Sequence, residues 1–333
     1  MSTVEEATFY IVCPPPPVTT TTTTTVGYLF ASYSVSPGRV DKISPSTMSL
    51  VKTFTAPSGH NLAWALTSLS GYLFAGYSTS PGYVDKINPS TMTLVKTFTA
   101  PSGHKHILTL TSLSGYVFVG YFISPGRVDK ISPSTMTLVK TFTAPSGHNN
   151  VHALTTLSGY VFVGYYINPG YVDKINPSTM SLVKTYTPPS GHYDVRALTS
   201  LSGYIYAGYS STPGYVSKIN PSTMSLVKTF TSTLFHTISL TPLSGYIYAG
   251  YTGSPGYVQK ISPSTMSLVK TFTAPTGHFD PFSLATLSGY VFAGYYSTPG
   301  YVDKINPSTM TLVKTFTAPS GHKDVTCLTT LAT

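Results

Sequence analysis

Three features of this 333-residue sequence predict an all-β protein. The chain contains 26 tyrosines and 16 phenylalanines, and only 9% of its residues are charged, a composition that favours strands over helices. One unit of about 44 residues recurs along most of the chain. Gly- and Pro-containing turns divide each unit into segments of strand length. Together these features predict a seven-bladed β-propeller of four-stranded antiparallel blades.

The second copy shows how the strands of a unit are predicted. Tyr72 to Ser78 forms one strand, Tyr83 to Asn88 the next and Met92 to Ala100 the third, separated by turns that contain proline. The following stretch "HILTLTSLSG" is the fourth, which we assign as the innermost strand, A, of the next blade. Strands B, C and D then follow in chain order. The copies begin at Gly27, Gly71, Gly115, Gly159, Gly203, Gly245 and Gly289.

The two ends of the repeat array predict how the ring closes. The sequence finishes with "KDVTCLTTLAT", an A strand that no B strand follows, whereas the copy at Gly27 has no comparable A strand before it. We therefore expect the C-terminal strand to pair with the first copy and close the ring. The propeller then spans residues 27–333, and residues 1–26 form an N-terminal arm.

The repeated units resemble the YVTN-type propellers, relatives of the WD-repeat propellers. The resemblance rests on "GYVFVGY" followed by "GYVDKINPSTMTLVKT" and covers about 300 residues. It implies a propeller fold but no particular function, because that family includes scaffolds, cell-surface proteins and some enzymes. The Trp-Asp dipeptide of WD repeats is absent, so the hydrogen-bond network of those repeats is not carried over.

One position near the start of strand A differs in every copy. In a four-stranded meander the D-to-A and B-to-C connections lie on one face, so these side chains are expected at the mouth of the central channel. One interpretation is a binding face for a ligand or partner, with Trp64, His152, Arg196 and Phe282 as anchors. The other is drift where packing is loose. The seven residues are Trp64, Leu108, His152, Arg196, Ile238, Phe282 and Thr326.

Two sets of repeated polar residues are candidates for chemistry. The histidines of the "SGH" motif could ring a metal ion, but we expect each to bond a backbone group of the neighbouring blade instead. The aspartates that precede lysine are interpreted as paired structural charges. Asp194, Asp280 and Asp324 lie outside that pattern. They are interpreted either as a carboxylate cluster or as part of a polar loop. The histidines are His60, His104, His148, His192, His278 and His322, and the paired aspartates Asp41, Asp85, Asp129, Asp173 and Asp303.

Catalytic and cofactor motifs are missing from the sequence, which contains no nucleophile elbow, phosphate loop or HExxH motif. We predict no enzymatic activity, no cofactor and no metal; an enzyme working at the channel mouth is the third hypothesis. The lysines are spread evenly, which disfavours nucleic acid. No apolar run of about 18 residues predicts membrane insertion, and the start of the chain does not resemble a secretory signal.

The N-terminal arm contains a spacer, residues 14–25, and a strand-forming segment, residues 7–13. Pro14 to Pro17 favour an extended polyproline II conformation, and the threonine run is typical of O-glycosylated stalks. The segment Ala7, Thr8, Phe9, Tyr10, Ile11 and Val12 is apolar and aromatic, which makes it an aggregation hazard unless it is covered. The candidate glycosylation sites are Thr19, Thr20, Thr21, Thr22, Thr23, Thr24 and Thr25.

These features predict a non-catalytic structural protein that assembles head to tail, through exchange of the arm, into an extracellular filament or surface layer. The acceptor is left open between the outer edge of a blade and a groove on the propeller face. The alternative is a monomeric binding module that holds a glycan or a protein on its variable face. The arm could also fold back on its own propeller, and a disulfide between Cys13 and Cys327 could form within or between chains.

Overall fold

A computed structural model describes residues 27–332, which form seven sheets of four antiparallel strands and contain no helix. The predicted all-β, seven-bladed propeller is therefore confirmed. In chain order the strands are β1 Gly27–Tyr33, β2 Arg39–Ser44, β3 Ser49–Thr55, β4 Ala63–Leu69, β5 Tyr72–Tyr77, β6 Tyr83–Asn88, β7 Thr93–Thr99, β8 Ile107–Leu113, β9 Tyr116–Tyr121, β10 Arg127–Ser132, β11 Thr137–Thr143, β12 Val151–Leu157, β13 Tyr160–Tyr165, β14 Val172–Asn176, β15 Ser181–Tyr186, β16 Val195–Leu201, β17 Tyr204–Tyr209, β18 Tyr215–Asn220, β19 Ser225–Thr231, β20 Thr237–Leu243, β21 Tyr246–Tyr251, β22 Tyr257–Ser262, β23 Ser267–Thr273, β24 Pro281–Leu287, β25 Tyr290–Tyr295, β26 Tyr301–Asn306, β27 Thr311–Thr317 and β28 Val325–Ala332.

The last strand closes the ring as the sequence predicts. Strand β28 pairs antiparallel with β1, so blade 1 has the order β28, β1, β2 and β3, and blades 2 to 7 each take the next four strands in order. Within residues 27–332 the buried apolar residues form seven clusters. These residues alone supply four strands to each of the seven blades. The predicted arm, with its donor segment, threonine run and Cys13, lies outside the described residues.

Neighbouring blades share each apolar cluster. Phe30 and Val40 of blade 1, for example, pack against Leu73, Ala75 and Ile87 of blade 2. Strands B are buried along most of their length because both of their faces meet another sheet, whereas the first four residues of a typical strand D are exposed. Burial of apolar surface between blades is therefore the main cohesive contribution around the ring. No helix in residues 27–332 is long and apolar enough to cross a membrane.

One face of the ring, the bottom face, carries the A-to-B and C-to-D turns and a repeated lysine contact. Lys86 Nζ donates to the carbonyl of Pro133 in the next blade at 3.0 Å and lies 3.8 Å from the centroid of the Tyr72 ring. The lysine-to-proline bond recurs in every blade, and Lys304 completes the circle by bonding Pro45. The predicted pairing of each lysine with the preceding aspartate is wrong, because alternation along strand C places the two side chains on opposite faces of the sheet.

On the opposite face, the top face, a buried carboxylate in each of five blades accepts hydrogen bonds from neighbouring elements. In blade 3, Asp129 accepts hydrogen bonds from His104 Nδ1 at 2.8 Å, Thr141 Oγ1 at 2.6 Å and the Tyr121 hydroxyl at 2.8 Å. Three donors compensate a carboxylate that is fully buried. Burial, reinforced by the charge of Asp129, raises the pKa of Tyr121 well above its ordinary value. His-to-Asp pairs of this kind occur at Asp41, Asp85, Asp129, Asp173 and Asp303.

This network anchors the D-to-A loops that lead into the channel. The side chain of His104 bonds Asp129 of blade 3, while its backbone carbonyl accepts from Gly82 N of blade 2 at 3.0 Å. The expectation that the imidazole bonds a backbone group is therefore wrong. The missing Trp-Asp dipeptide gave no reason to expect a polar network, yet the structure contains one built from His, Asp, Tyr and Thr.

Blades 5 and 6 depart from this network. In blade 5, Ser217 replaces the aspartate, and both ring nitrogens of His192 are buried without a hydrogen-bond partner. Burial lowers the pKa of His192 accordingly. In blade 6, Gln259 replaces the aspartate and Leu234 occupies the histidine position, and the Gln259 side chain accepts from Ser232 Oγ at 3.0 Å. Blade 5 has thus kept a histidine that has lost its acceptor.

Restoring the acceptor in blade 5 should stabilise the ring. We expect Ser217→Asp to raise the free energy of unfolding by about 1–2 kcal/mol, because His192, Thr229 and Tyr209 would supply donors to the new carboxylate. Denaturant and thermal unfolding measure the change. Gln259→Asp is the matched control and should destabilise, since no histidine faces it. A shift of both variants in the same direction would contradict the proposed role of the histidine.

Candidate binding site at the channel mouth

Every variable residue of strand A stands at a β-bulge. In blade 2, Ala63 pairs with Tyr77 and Ala65 with Gly76, so Trp64 is the extra residue between them. A bulge bends the strand and redirects one side chain. All seven of these residues line one cavity of about 160 Å³ at the channel mouth. The other bulge residues are Leu108, His152, Arg196, Ile238, Phe282 and Thr326.

A first aromatic group at the mouth consists of Trp64, Phe282 and Tyr296. The Trp64 and Phe282 rings meet edge to face with centroids 5.5 Å apart, and Tyr296 lies 5.5 Å from Phe282 and 6.4 Å from Trp64. Blades 2 and 7 supply these residues. The two blades are separated by blade 1, whose bulge residue is the small Thr326, and this leaves room for the rings to meet across it.

A second aromatic group lies at blades 3 to 5. The Phe122 and Tyr166 rings are 5.8 Å apart, and Tyr166 lies 5.8 Å from His152. The Arg196 guanidinium lies 4.9 Å from the centroid of Tyr166, in a cation–π contact. Sequence reasoning identified His152 and Arg196 but missed Phe122, Tyr166 and Tyr296. These three share the position directly after strand B, where the other copies have Ser34, Ser78, Ser210 and Thr252.

Two polar atoms in this site are buried without a partner. Arg196 Nε and Trp64 Nε1 form no hydrogen bond within residues 27–332, and the ion pairs of that range are all between histidine and aspartate. Buried donors of this kind are normally satisfied, because leaving one unpaired costs about 1–3 kcal/mol. The site therefore has unused donor capacity, including one on a cationic side chain.

His152 contributes no charge at neutral pH. Burial and the neighbouring charge of Arg196 lower its pKa to about 3, although its Nδ1 lies 3.2 Å from the Arg196 carbonyl oxygen. Asp194 lies near Arg196, and burial raises the pKa of that carboxyl while Arg196 and His236 oppose the rise. Arg196 is consequently the one cation among the seven bulge residues.

Two further cavities adjoin the mouth, and Arg196 lines all three. One, of about 210 Å³, is bounded by His236, Asp280 and Tyr296, and the other, of about 250 Å³, by Phe122 and Tyr166. An apolar cavity of about 150 Å³ accepts a benzene-sized ring. Each cavity therefore has room for one aromatic or branched side chain. Arg196 borders all three cavities, and Asp280 borders one of them.

The backbone conformation explains the three aspartates that do not precede a lysine. Asp194, Asp280 and Asp324 have φ values of 49°, 42° and 55°, in the left-handed region, and Leu62 and other residues at this position share it. Asp and Asn tolerate that conformation better than most side chains. Within residues 27–332 no group of three or more His, Cys, Asp or Glu side chains could hold a metal ion. The polar-loop interpretation fits better than a carboxylate cluster.

The D-to-A loops divide the top face into two sectors. Three consecutive loops expose an aromatic side chain: Tyr193 is 40% exposed, Phe235 58% and Phe279 38%. Phe235 escaped the sequence analysis because its copy has lost the "SGH" motif. Polar residues occupy the corresponding position of the other four loops, two of them exposed lysines: Asn61, Lys105, Asn149 and Lys323.

Cys327 lies on β28 and lines the cavity of about 160 Å³ at the channel mouth. Burial raises the pKa of its thiol to about 11, so the reactive thiolate is scarce at neutral pH. Cys13 lies outside the described residues. The bridge between the two cysteines therefore stays a prediction, as does the role of Trp64, His152, Arg196 and Phe282 in binding.

Solved structures share this fold. The WD40 β-propeller domain of Doa1 has a TM-score of 0.65 and 14% identity, covering 81% of this chain and 86% of that chain. The computationally designed Ika8 protein has a TM-score of 0.64 and 14% identity, covering 90% of this chain and 86% of that chain. No family model and no curated protein matches the sequence. The comparisons show the β-propeller fold alone.

The depressed pKa of His152 should appear in the acid stability of the ring. Because the folded pKa lies below that of the unfolded chain, near 6.5, the contribution of His152 is present above pH 6.5 and is lost as the pH falls towards 3. We expect His152→Leu, which copies Leu108 of blade 3, to lose less thermal stability than the wild type between pH 6.5 and pH 4. Parallel curves for the two proteins would contradict this assignment.

Proposed function

We propose that the protein is a non-catalytic structural protein that assembles head to tail through its N-terminal arm, forming an extracellular filament or surface layer. One observation carries the proposal: all seven sheets already have four strands, and β28 completes the first. The apolar segment Ala7–Cys13 is therefore not needed to complete any of the seven four-stranded blades. An uncovered segment of this composition favours association with another chain.

The point at which the arm joins the ring supports an open assembly. Gly27 starts β1 on the bottom face, where it borders a cavity shared with Pro45, Ser46, Leu287 and Ser288. These residues lie in the turns of that face or at the strand ends beside them. The arm is joined there, whereas any acceptor on the top face or the outer wall is a different surface. Contacts between two different surfaces repeat without closing unless a rotation happens to form a ring.

The spacer and the threonine run complete the proposal. Residues 14–25 would act as a semi-rigid connection between the ring and the docking segment. Glycans on Thr19 to Thr25 would stiffen and solubilise that connection, and O-glycosylation of this kind implies a location outside the cell. Exposed lysines on the outer strands, such as Lys96, would keep assembled rings soluble and limit lateral contacts.

A monomeric binding module is the second candidate, favoured by the unpartnered donors of Trp64 and Arg196 at the mouth. Aromatic faces beside a cation are typical of sites for glycans and for protein side chains. Under this alternative the arm would be dispensable for activity. The two candidates are therefore separated by removal of the arm.

Removal of residues 1–26 should abolish assembly and leave the ring folded. We expect filaments or layers from the full chain and single discs from a chain that starts at Gly27, by negative-stain electron microscopy and sedimentation velocity. The thermal midpoint of the ring should be unchanged, because residues 27–332 already supply four strands to each of the seven blades. Full-length chain with Phe9→Asp and Ile11→Asp is the matched control and should also stay as discs.

Discs from both the full chain and the truncation would overturn the assembly proposal. That outcome would leave the binding module as the better account of the mouth.

A further inference from the structure

We propose that the channel mouth on the top face of one copy is the receptor for the N-terminal arm of the next copy. Glu5 or Glu6 would pair with Arg196, and the aromatic residues Phe9 and Tyr10 would enter the cavities beside it. The inference rests on the proposed function and specifies where the arm docks. From the sequence alone, the acceptor could be either the outer edge of a blade or a groove on the propeller face.

The outer edges of the blades are poor acceptors for an added strand. In blade 2, Lys86 pairs with Lys96 and Ile87 with Leu94, so Val95 is an extra residue that interrupts the ladder of β7. The same bulge occurs in the outer strand of every blade. Bulges and lysines are the devices by which proteins protect edge strands from pairing. An arriving strand would find no long, regular edge.

The mouth, by contrast, matches the arm in chemistry. The arm sequence "EEATFYIV" places two carboxylates shortly before two aromatic residues, and the mouth places one cation beside cavities of aromatic-ring size. A carboxylate near Arg196 would satisfy a guanidinium that has no ion pair within residues 27–332, and Trp64 Nε1 could donate to an arm carbonyl.

The other charges around the mouth act in both directions. Lys105 and Lys323 are exposed on the top face and would attract an acidic segment. Asp194, Asp280 and Asp324 lie on the same face and oppose that attraction. Asp280 is engaged by the backbone N–H of Gly253, which donates to its Oδ1 at 2.8 Å. Arg196 lines all three cavities, whereas Asp280 lines one of them, so the attraction for an acidic segment at the mouth depends on Arg196.

The arm is long enough to reach the mouth of a stacked copy. From Gly27 to Phe9 the chain has 18 residue steps, which span at most about 60–65 Å when fully extended. Gly27 lies on the bottom face, and the mouth of its own ring lies on the opposite face. A copy stacked on the bottom face presents its mouth within the length of the spacer. The resulting contact is head to tail and open.

Trp64 supplies a direct probe, because it is the only tryptophan of the chain. A peptide of residues 1–26 is titrated into the ring that starts at Gly27, which retains its complete core. We expect a saturable change in Trp64 fluorescence. Arg196→Glu in the ring, and Glu5→Lys with Glu6→Lys in the peptide, should each weaken binding by about tenfold or more, and the two changes together should recover affinity.

The same substitutions are made in the full chain and followed by electron microscopy. Arg196→Glu should suppress filaments, and the charge-reversed arm should restore them, which shows that the variant ring is folded. Lys96→Glu on the outer edge of blade 2 is the matched control, and it should leave both binding and filaments unchanged.

The outcomes separate this inference from the proposed function. If filaments require residues 1–26 but are insensitive to Arg196→Glu, the mouth is not the receptor and arm-mediated assembly still stands. The same conclusion follows if Lys96→Glu suppresses the filaments and Arg196→Glu does not. Filaments that form without the arm would overturn both. A fluorescence change of equal size with a scrambled peptide would also reject the mouth as a specific receptor.

Discussion

The buried aspartate of strand C is the constraint on which the top face depends. A carboxylate with no exposed surface is tolerated only when several donors surround it, and Asp129 obtains them from strand B, strand D and the incoming loop. The loop is held on its other side by a backbone bond to the preceding blade. Because each D-to-A loop ends two residues before an inner-strand bulge, this bonding also fixes where the side chains of the mouth point.

The two faces of the ring follow different rules. On the bottom face the lysine-to-proline contact is the same in all seven blades, with bond lengths of 2.9–3.0 Å. On the top face the residue types vary from copy to copy, and the polar network itself changes in blades 5 and 6. Arg196 belongs to blade 5, so the cation of the mouth stands where the histidine–aspartate bond has been lost. The two faces of this ring of near-identical copies therefore differ from each other, and blades 5 and 6 differ from the other five blades.

The fold followed from the sequence because the turn residues recur at fixed intervals, and because the two ends of the array complete one another. The mouth followed in part, since the strand-A position of Trp64 and Arg196 varies visibly among the copies. The bulges could not be predicted from the sequence, because an extra residue is a property of strand register that residue types do not encode.

The bond between His104 and Asp129 was missed because 25 residues separate its partners, and because the lysine beside the aspartate offered a simpler partner. A comparison of copies would have revealed the clue: the blade with Leu234 in place of histidine also has Gln259 in place of aspartate.

The inner-strand bulge has a consequence for how such a protein can change over time. A bulged residue stands outside the regular ladder of its sheet, so its side chain can be replaced with little cost to strand pairing. Seven such positions converge on one opening, while the residues of the surrounding strands are nearly the same in every copy. The side chains at the opening can therefore change by single substitutions, one copy at a time, with little effect on the stability of the ring. The same separation makes the seven positions a natural starting set for a designed library of recognition surfaces.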